Sequence, residues 1–244
     1  NMELKCIGSG SKGNAYALVE KNEILLLECG MPLLAVKEAI GWKISNVVGC
    51  LISHIHKDHA GHVKEFLKAG IPVYTNAETA ANIEKDWHER LYSLAEKKAE
   101  RIGGFKVIPF YVPHEDTPCY AYLITHPSMG KMLFATDFSY IRYSFKNMGI
   151  NHFLVEANYD KNSLNPEIPN YEHVMRGHAS LDTCMDIISA NKTSELRNVI
   201  MCHLGHSASS PKCFVASMEK IAGFGVNVDC AVSGLSIELC KDPF

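Results

Sequence analysis

Apolar and polar positions change period several times along the chain. Met2 to Ile7 reads as a short strand, and Gly8-Ser9-Gly10-Ser11-Lys12-Gly13 as a turn. Ala15 to Val19 and Ile24 to Leu27 read as the arms of a hairpin around Lys21-Asn22. Pro32 opens a helical stretch, Leu33 to Ile40. Val47 to Ile52 is apolar without a break, the pattern of a strand covered on both faces. His62 to Lys68 is amphipathic, Ile71 to Tyr74 is a strand, and the charged periodicity of Ala77 to Lys98 predicts a helix. Phe105 to Val112, Tyr120 to Thr125, Met132 to Ala135 and Phe153 to Val155 read as strands. Leu181 to Ala190 is a helix, Asn198 to Cys202 a buried strand and Pro211 to Ile221 a helix. Val226 to Val228 and Leu235 to Leu239 are the final strands. Strands interleaved with helices predict a layered α/β protein. No internal repeat or low-complexity linker interrupts it, so residues 1–244 read as one domain.

Composition narrows the function classes. At 244 residues and 47% hydrophobic, the chain can bury a full core without disulfide staples. A formal net charge of -3 argues against a global basic surface for a polymeric nucleic acid, while leaving a local basic patch open. The nine cysteines are odd in number, form no C-x-x-C pair, and several lie in apolar runs. Reduced thiols in a cytoplasmic protein are the simplest reading. No basic-then-apolar signal segment is visible, and the longest apolar stretches are broken by Glu28 or Gly49, so no membrane span is expected.

The placement of the histidines carries the chemistry. His54, His56, Asp58 and His59 fall within six residues, directly after the apolar run Val47–Ile52. Residues two apart in an extended segment point the same way, so His54 and His56 can converge on one metal ion. Asp58 and His59 follow where the chain turns into a helix, and can face a second. Imidazole and carboxylate donors suit Zn²⁺, and also Mn²⁺ or Fe. Three further candidates each follow an apolar run: His114 in Val112-Pro113-His114-Glu115, Asp137 after Leu133–Thr136, and His203 after Val199–Cys202.

H-x-H-x-D-H after an apolar strand, followed in order by an isolated histidine, a strand-end aspartate and a strand-end histidine, resembles the metallo-β-lactamase superfamily. The resemblance runs over nearly the whole chain. It implies an αββα sandwich, two packed mixed β-sheets with helices on the outer faces. It also implies two divalent metal ions, most simply zinc with manganese as an alternative. His54, His56 and His114 would hold one ion, Asp58, His59 and His203 the other, and Asp137 would bridge them. Glu28 stands where the family usually has an aspartate, and is expected behind the ligands as an orienting group.

Glu156 and His178, in Glu156-Ala157-Asn158 and Gly177-His178-Ala179-Ser180, narrow the branch. A strand-end glutamate and a histidine before a helix are similar to tRNase Z and YycJ-like phosphodiesterases. There the extra histidine helps to protonate the leaving group. The opening Gly8–Asn14 also resembles the YycJ-like branch and the phage anti-Pycsar proteins, which degrade cyclic nucleotides. The expected catalytic residues are therefore Asp58, His178 and Glu156. Two other assignments stand beside this one: His178 as a helix-start histidine that only caps or packs, and His178 as the last ligand in place of His203. The apolar strand before His203 favours His203.

His62 lies three positions beyond His59, on a helix, and is not expected to be a ligand. His88, His126, His152, His173 and His206 are expected at the surface or in packing, with His206 near enough to His203 to line a cleft. The glycine-serine loop lacks the Lys-Ser/Thr ending of a Walker motif, and reads either as a plain turn or as a phosphate cradle. The resulting expectation is a phosphodiesterase acting on a small cyclic nucleotide through a water that bridges two metals, as in an anti-Pycsar immune-evasion enzyme. Alternatives are a YycJ-like or tRNase Z-like nuclease acting on nucleic acid, and thioester or lactam hydrolysis on the same fold. A homodimer is expected by the same resemblance.

Overall fold

The computed structural model describes residues 1–83, 89–205 and 209–242. Two seven-stranded sheets face each other. In the first, β1 (Met2–Gly8), β2 (Ala15–Val19) and β3 (Ile24–Leu27) are antiparallel neighbours. Next to β3 and parallel to it come β4 (Val47–Leu51), β5 (Val73–Thr75) and β6 (Leu91–Ser93). The second sheet pairs β7 (Glu100–Ile102), β8 (Phe105–Val112), β9 (Cys119–His126) and β10 (Gly130–Ala135) antiparallel. It continues in parallel through β11 (His152–Glu156), β12 (Asn198–Cys202) and β13 (Asn227–Cys230). The last strand, β14 (Ser236–Leu239), returns to the first sheet beside β1.

Alternation along each strand divides its side chains between two cores. Met132 and Phe134 of β10 point into the space between the sheets, with Leu25 and Leu27 of β3 and Ile200 of β12. Leu133 and Ala135 point outward, where α6 (Leu181–Asn191) and α7 (Pro211–Ala222) cover them through Ile188 and Phe214. On the outer face of the first sheet, α1 (Leu33–Ala39) and α3 (Val63–Lys68) bury Val36 and Phe66 against Leu26 and Cys50. Parallel strands covered on both faces must be apolar at consecutive positions. The continuous runs of β4 and β12 meet that demand, and the layers form the expected αββα sandwich.

One expected element is corrected. The region from Ala77 to Lys98 is not a single helix: α4 spans Ala77–Asn82, and β6 follows at Leu91–Ser93. Ile83 is already extended (φ -81, ψ 128), and the Arg90 carbonyl and Leu94 amide bond to Val73 and Thr75 across β5. Hydrogen bonds to an open sheet edge outweigh the helical preference of a charged, periodic segment. His88 and His206 lie outside the described residues. Neither β7 nor a short helix, α5 (Tyr171–Gly177), was visible as a pattern, since each is brief and mostly exposed.

Strand direction positions the site. β4, β8, β10, β11 and β12 all end at one edge of the sandwich, and His54, His114, Asp137, Glu156 and His203 lie at or just beyond those ends. Among the described non-glycine residues six have positive φ, and Glu28 (64°), Asp137 (51°) and His203 (51°) are three of them. Each directly follows or closely follows a strand, where the left-handed turn swings the side chain into the edge. Such backbone is sparsely populated and costs about 1–3 kcal/mol a residue, so it persists where surrounding structure holds it.

Candidate active site

Three groups of donors, each within 4.8 Å of one another, share this edge: His54, His56, His114 and Asp137; Asp58, His59, Asp137 and His203; and Asp137, Glu156, His178 and His203. Asp137 belongs to all three. Its Oδ2 lies 3.6 Å from His54 Nε2 and 3.7 Å from His114 Nε2, and its Oδ1 lies 3.2 Å from His59 Nε2. His203 Nδ1 contacts Asp137 Oδ1, and His203 Nε2 is 3.6 Å from Asp58 Oδ2.

The residues fit divalent cations. His54 Nε2 is buried without a hydrogen-bond partner, a condition that a cation removes and that otherwise costs free energy. His56 Nδ1 and His114 Nε2 face each other at 3.1 Å, two nitrogens converging on the same space. Burial pulls the pKa of His54, His56 and His114 below the ordinary imidazole value, so they stand neutral, as ligands must. His59 and His203 behave differently. Burial pulls both down, but the carboxylates around them together outweigh it, Asp137 with Glu28 and Asp58 raising His59, and Asp137 with Glu156 holding His203 at about 10. Protons there balance buried carboxylates, the task a cation takes over, so binding should release them.

A supporting shell holds these donors. Glu28 is fully buried behind His59: its Oε2 lies 3.4 Å from His59 Nδ1, and its Oε1 accepts from the Ser53 amide at 3.1 Å. Asn14 and Ser9, which the sequence did not single out, pin the ligand loops from the other side. The Asn14 amide donates to the Asp58 carbonyl at 2.7 Å, and Ser9 Oγ accepts from the His203 amide at 2.9 Å. The amides of Gly10, Gly13 and Asn14 are engaged within this packing, so the glycine-serine loop buttresses the site and those three do not cradle a phosphate. The sequence signal was present in Gly8–Asn14, but not its direction.

The short helix α2 (Lys57–Ala60), which carries Asp58 and His59, packs directly on Gly30. A Cβ at Gly30 would lie 1.7 Å from the Asp58 carbonyl oxygen. Gly30→Ala should therefore displace α2 and weaken metal affinity by about 10–100-fold, the effect usual for outer-shell disruption. Titration against a chromophoric chelator measures this; wild-type affinity in the variant would show that α2 tolerates the shift.

Glu156 and His178 form a distinct pair at the rim. Glu156 is fully buried; its Oε2 accepts from the amides of Ala179 (2.9 Å) and Phe138 (3.3 Å), and its Oε1 lies 2.7 Å from His178 Nδ1. His203 Nδ1 shares that oxygen at 3.1 Å. A cavity of about 340 Å³ opens here, with Asp58, Asp137, His178 and His203 on one side and Tyr159, Leu164, Ile168 and Val174 on the other. The latter four form an apolar cluster on the 159–174 segment, which had shown no pattern in the sequence. His173 is exposed, as expected, and also lines the mouth of this cavity, 3.0 Å from Glu115. His62 turns away to Glu65 (2.7 Å), and His126 and His152 are buried at the far edge.

The family model described as the Metallo-beta-lactamase superfamily matches residues 8–166. Exodeoxyribonuclease YycJ of Bacillus anthracis is 25% identical over 251 residues, covering 92% of this chain and 92% of that protein. Anti-Pycsar protein Apyc1 of Paenibacillus xerothermodurans is 32% identical over 113 residues, 42% of this chain and 45% of its own. Among solved structures, the metallo-beta-lactamase fold protein YhfI from Bacillus subtilis superposes with a TM-score of 0.75 at 19% identity, covering 97% of this chain and 98% of its own. Human tRNase Z, short form, gives a TM-score of 0.67 at 13% identity, covering 98% and 99%.

Proposed function

This chain belongs to the metallo-beta-lactamase superfamily and is a metal-dependent hydrolase, and on that premise we propose that it cleaves a phosphodiester bond in a nucleotide, with a small cyclic nucleotide as the favoured substrate. In this reading His54, His56 and His114 hold one divalent ion, Asp58, His59 and His203 a second, and Asp137 serves both. Two such ions, when bound, lower the pKa of water and neutralise charge on phosphoryl oxygens. Zinc suits the imidazole-rich donor set, with manganese the alternative. Asp58, next to the cleft, orients His203 and His59 as well as serving as a donor.

The observation that carries the proposal is the His178–Glu156 pair, 2.7 Å apart beside the donor cluster. Breaking a phosphodiester expels an alkoxide, a poor leaving group that benefits from a proton donor. Thioester hydrolysis, which expels a thiolate, gives this pair no evident task. A cavity of about 340 Å³ lies at the small end of ligand sites and has room for one nucleotide unit. Its wall of Tyr159, Leu164, Ile168 and Val174 offers an apolar face to a base or sugar. An anti-Pycsar role is the physiological setting this substrate would imply. A second reading, hydrolysis at the end of a DNA strand, is favoured by the likeness to YycJ, which extends over 92% of both chains.

The test is a substrate panel. Metal-loaded protein is incubated with cyclic mononucleotides, cyclic dinucleotides, single-stranded DNA and a tRNA precursor, and products are resolved by chromatography. Conversion of a cyclic to a linear nucleotide is expected. Consumption of DNA alone would move the assignment to the second reading, and turnover of thioesters or lactams alone would reject both.

A further inference from the structure

The strand ends opposite the catalytic edge form a second concave face, with different chemistry. A cavity of about 660 Å³ lies there, lined by Arg101, Lys106, Lys131, Arg197 and Lys241, against two carboxylates, Glu195 and Asp242, among its described lining residues. None of the five cations is ion-paired to a carboxylate among the described residues. Arg197 Nε is buried without a partner, although its Nη1 is held by the Ser194 and Leu196 carbonyls at 2.9 Å. Five cations that meet no carboxylate among the described residues, Lys131 donating its Nζ only to the Met148 carbonyl, are unexpected in one hollow on a chain whose net charge is -3.

Sheet register arranges part of this set as a row. Arg101 pairs with Lys106, Lys106 with Thr125, and Thr125 with Lys131 across β7, β8, β9 and β10, and Arg197 directly precedes β12. Five strand spacings of about 4.8 Å make the row roughly 24 Å long. That is too long for one phosphate and suited to a repeating anion.

A second cavity, of about 620 Å³, shares Arg197 and Asp242 and is bordered by Phe224. Phe224 is fully exposed, between Gly223 (φ 108°) and Gly225 (φ 79°). Both glycines have left-handed backbone, which presents the ring at the tip of a turn after α7. Cations along a groove with a solvent-facing aromatic at one end are the elements of single-strand recognition: phosphates track the charge and an unpaired base stacks on the ring.

We propose that this face is an exosite for single-stranded nucleic acid, with phosphates along Arg101, Lys106, Lys131, Arg197 and Lys241 and a base stacked on Phe224. It stands apart from the catalytic cleft by the length of the second sheet's strands. It does not rest on the catalytic reading, because it is detected by binding.

The test is fluorescence anisotropy of a fluorescein-labelled, phosphorothioate-linked dT15 with the metal-loaded protein over a range of salt concentrations. Two variants are compared with wild type: Arg101→Gln/Lys106→Gln/Lys241→Gln, which changes only exposed side chains, and Phe224→Ala. The triple variant should flatten the slope of log affinity against log salt by about 2, since each phosphate contact on a single strand contributes about 0.7. Phe224→Ala should weaken binding about 5- to 100-fold with the slope unchanged. Both variants should keep the wild-type circular dichroism spectrum and melting temperature, which shows that they are folded. No binding by wild type, unchanged affinity and slope in both variants, or equal displacement by a duplex or by poly-glutamate would overturn the proposal.

Discussion

Asp137→Ala protein is expected to purify with less than one equivalent of divalent metal, against about two for wild type, and to hydrolyse bis(p-nitrophenyl) phosphate at least ~10³-fold more slowly. The size of the effect follows from its position. Asp137 stands in every donor group of the edge, with one oxygen toward His54 and His114 and the other toward His59 and His203. Any other single replacement leaves one group intact. Metal-free protein should register the change as well. There Asp137 is held ionised: burial raises its pKa, but His203 and His59 outweigh burial and bring it well below the ordinary carboxylate range. Removing it takes the nearest carboxylate from two buried imidazoles that carry protons. Breaking a buried pair from one side costs about 3–5 kcal/mol, so denaturation in chelator should show a loss of that order. Metal analysis, turnover and chemical denaturation together check the argument. A variant that keeps two equivalents of metal would remove Asp137 from the site, whatever its turnover.

The sequence was most legible where chemistry and topology share a signal. His54, His56, Asp58 and His59 are adjacent in the chain and follow an unbroken apolar strand, so their convergence needs only local geometry. His114, Asp137, Glu156 and His203 are distant in sequence, yet each ends a strand, and parallel direction delivers all of them to one edge. Support from non-local contacts was not legible. Asn14 donates its amide to the Asp58 carbonyl across the first sheet, and Ser9 accepts from the His203 amide only after the two sheets have closed. The 159–174 wall carries apolar residues at irregular spacing, which neither a strand nor a helix period detects. The segment around β6 failed for a related reason: its conformation is decided by the edge of β5, a partner eighteen residues away, and local periodicity contains no trace of it.

His178→Ala separates proton donation from metal binding. The variant should keep both metals and lose about 10²–10⁴-fold in turnover of an unactivated phosphodiester, the usual contribution of a general acid. Glu156 Oε1 engages His178 Nδ1 at 2.7 Å, which leaves Nε2 as the nitrogen able to hand a proton to a departing oxygen. Burial pulls the His178 pKa down, but Glu156 and then Asp137 outweigh it and raise it above the ordinary value. The imidazolium is therefore retained above the pH, about 6.5, at which a free imidazole loses its proton. Wild-type activity should fall on the alkaline side as His178 deprotonates, and the variant should lack that limb. Glu156→Gln should shift the limb toward acid, because the carboxylate that stabilises the imidazolium is gone while His178 remains. Bis(p-nitrophenyl) phosphate should narrow the defect of His178→Ala, since nitrophenolate departs without a proton. If His178→Ala instead loses a metal, His178 is the last ligand, His203 must be reassigned as a supporting residue, and the acid must be sought elsewhere in the cleft. If both metals and full turnover survive, His178 only packs at the start of α6, and the phosphodiesterase proposal loses the pair on which it rests.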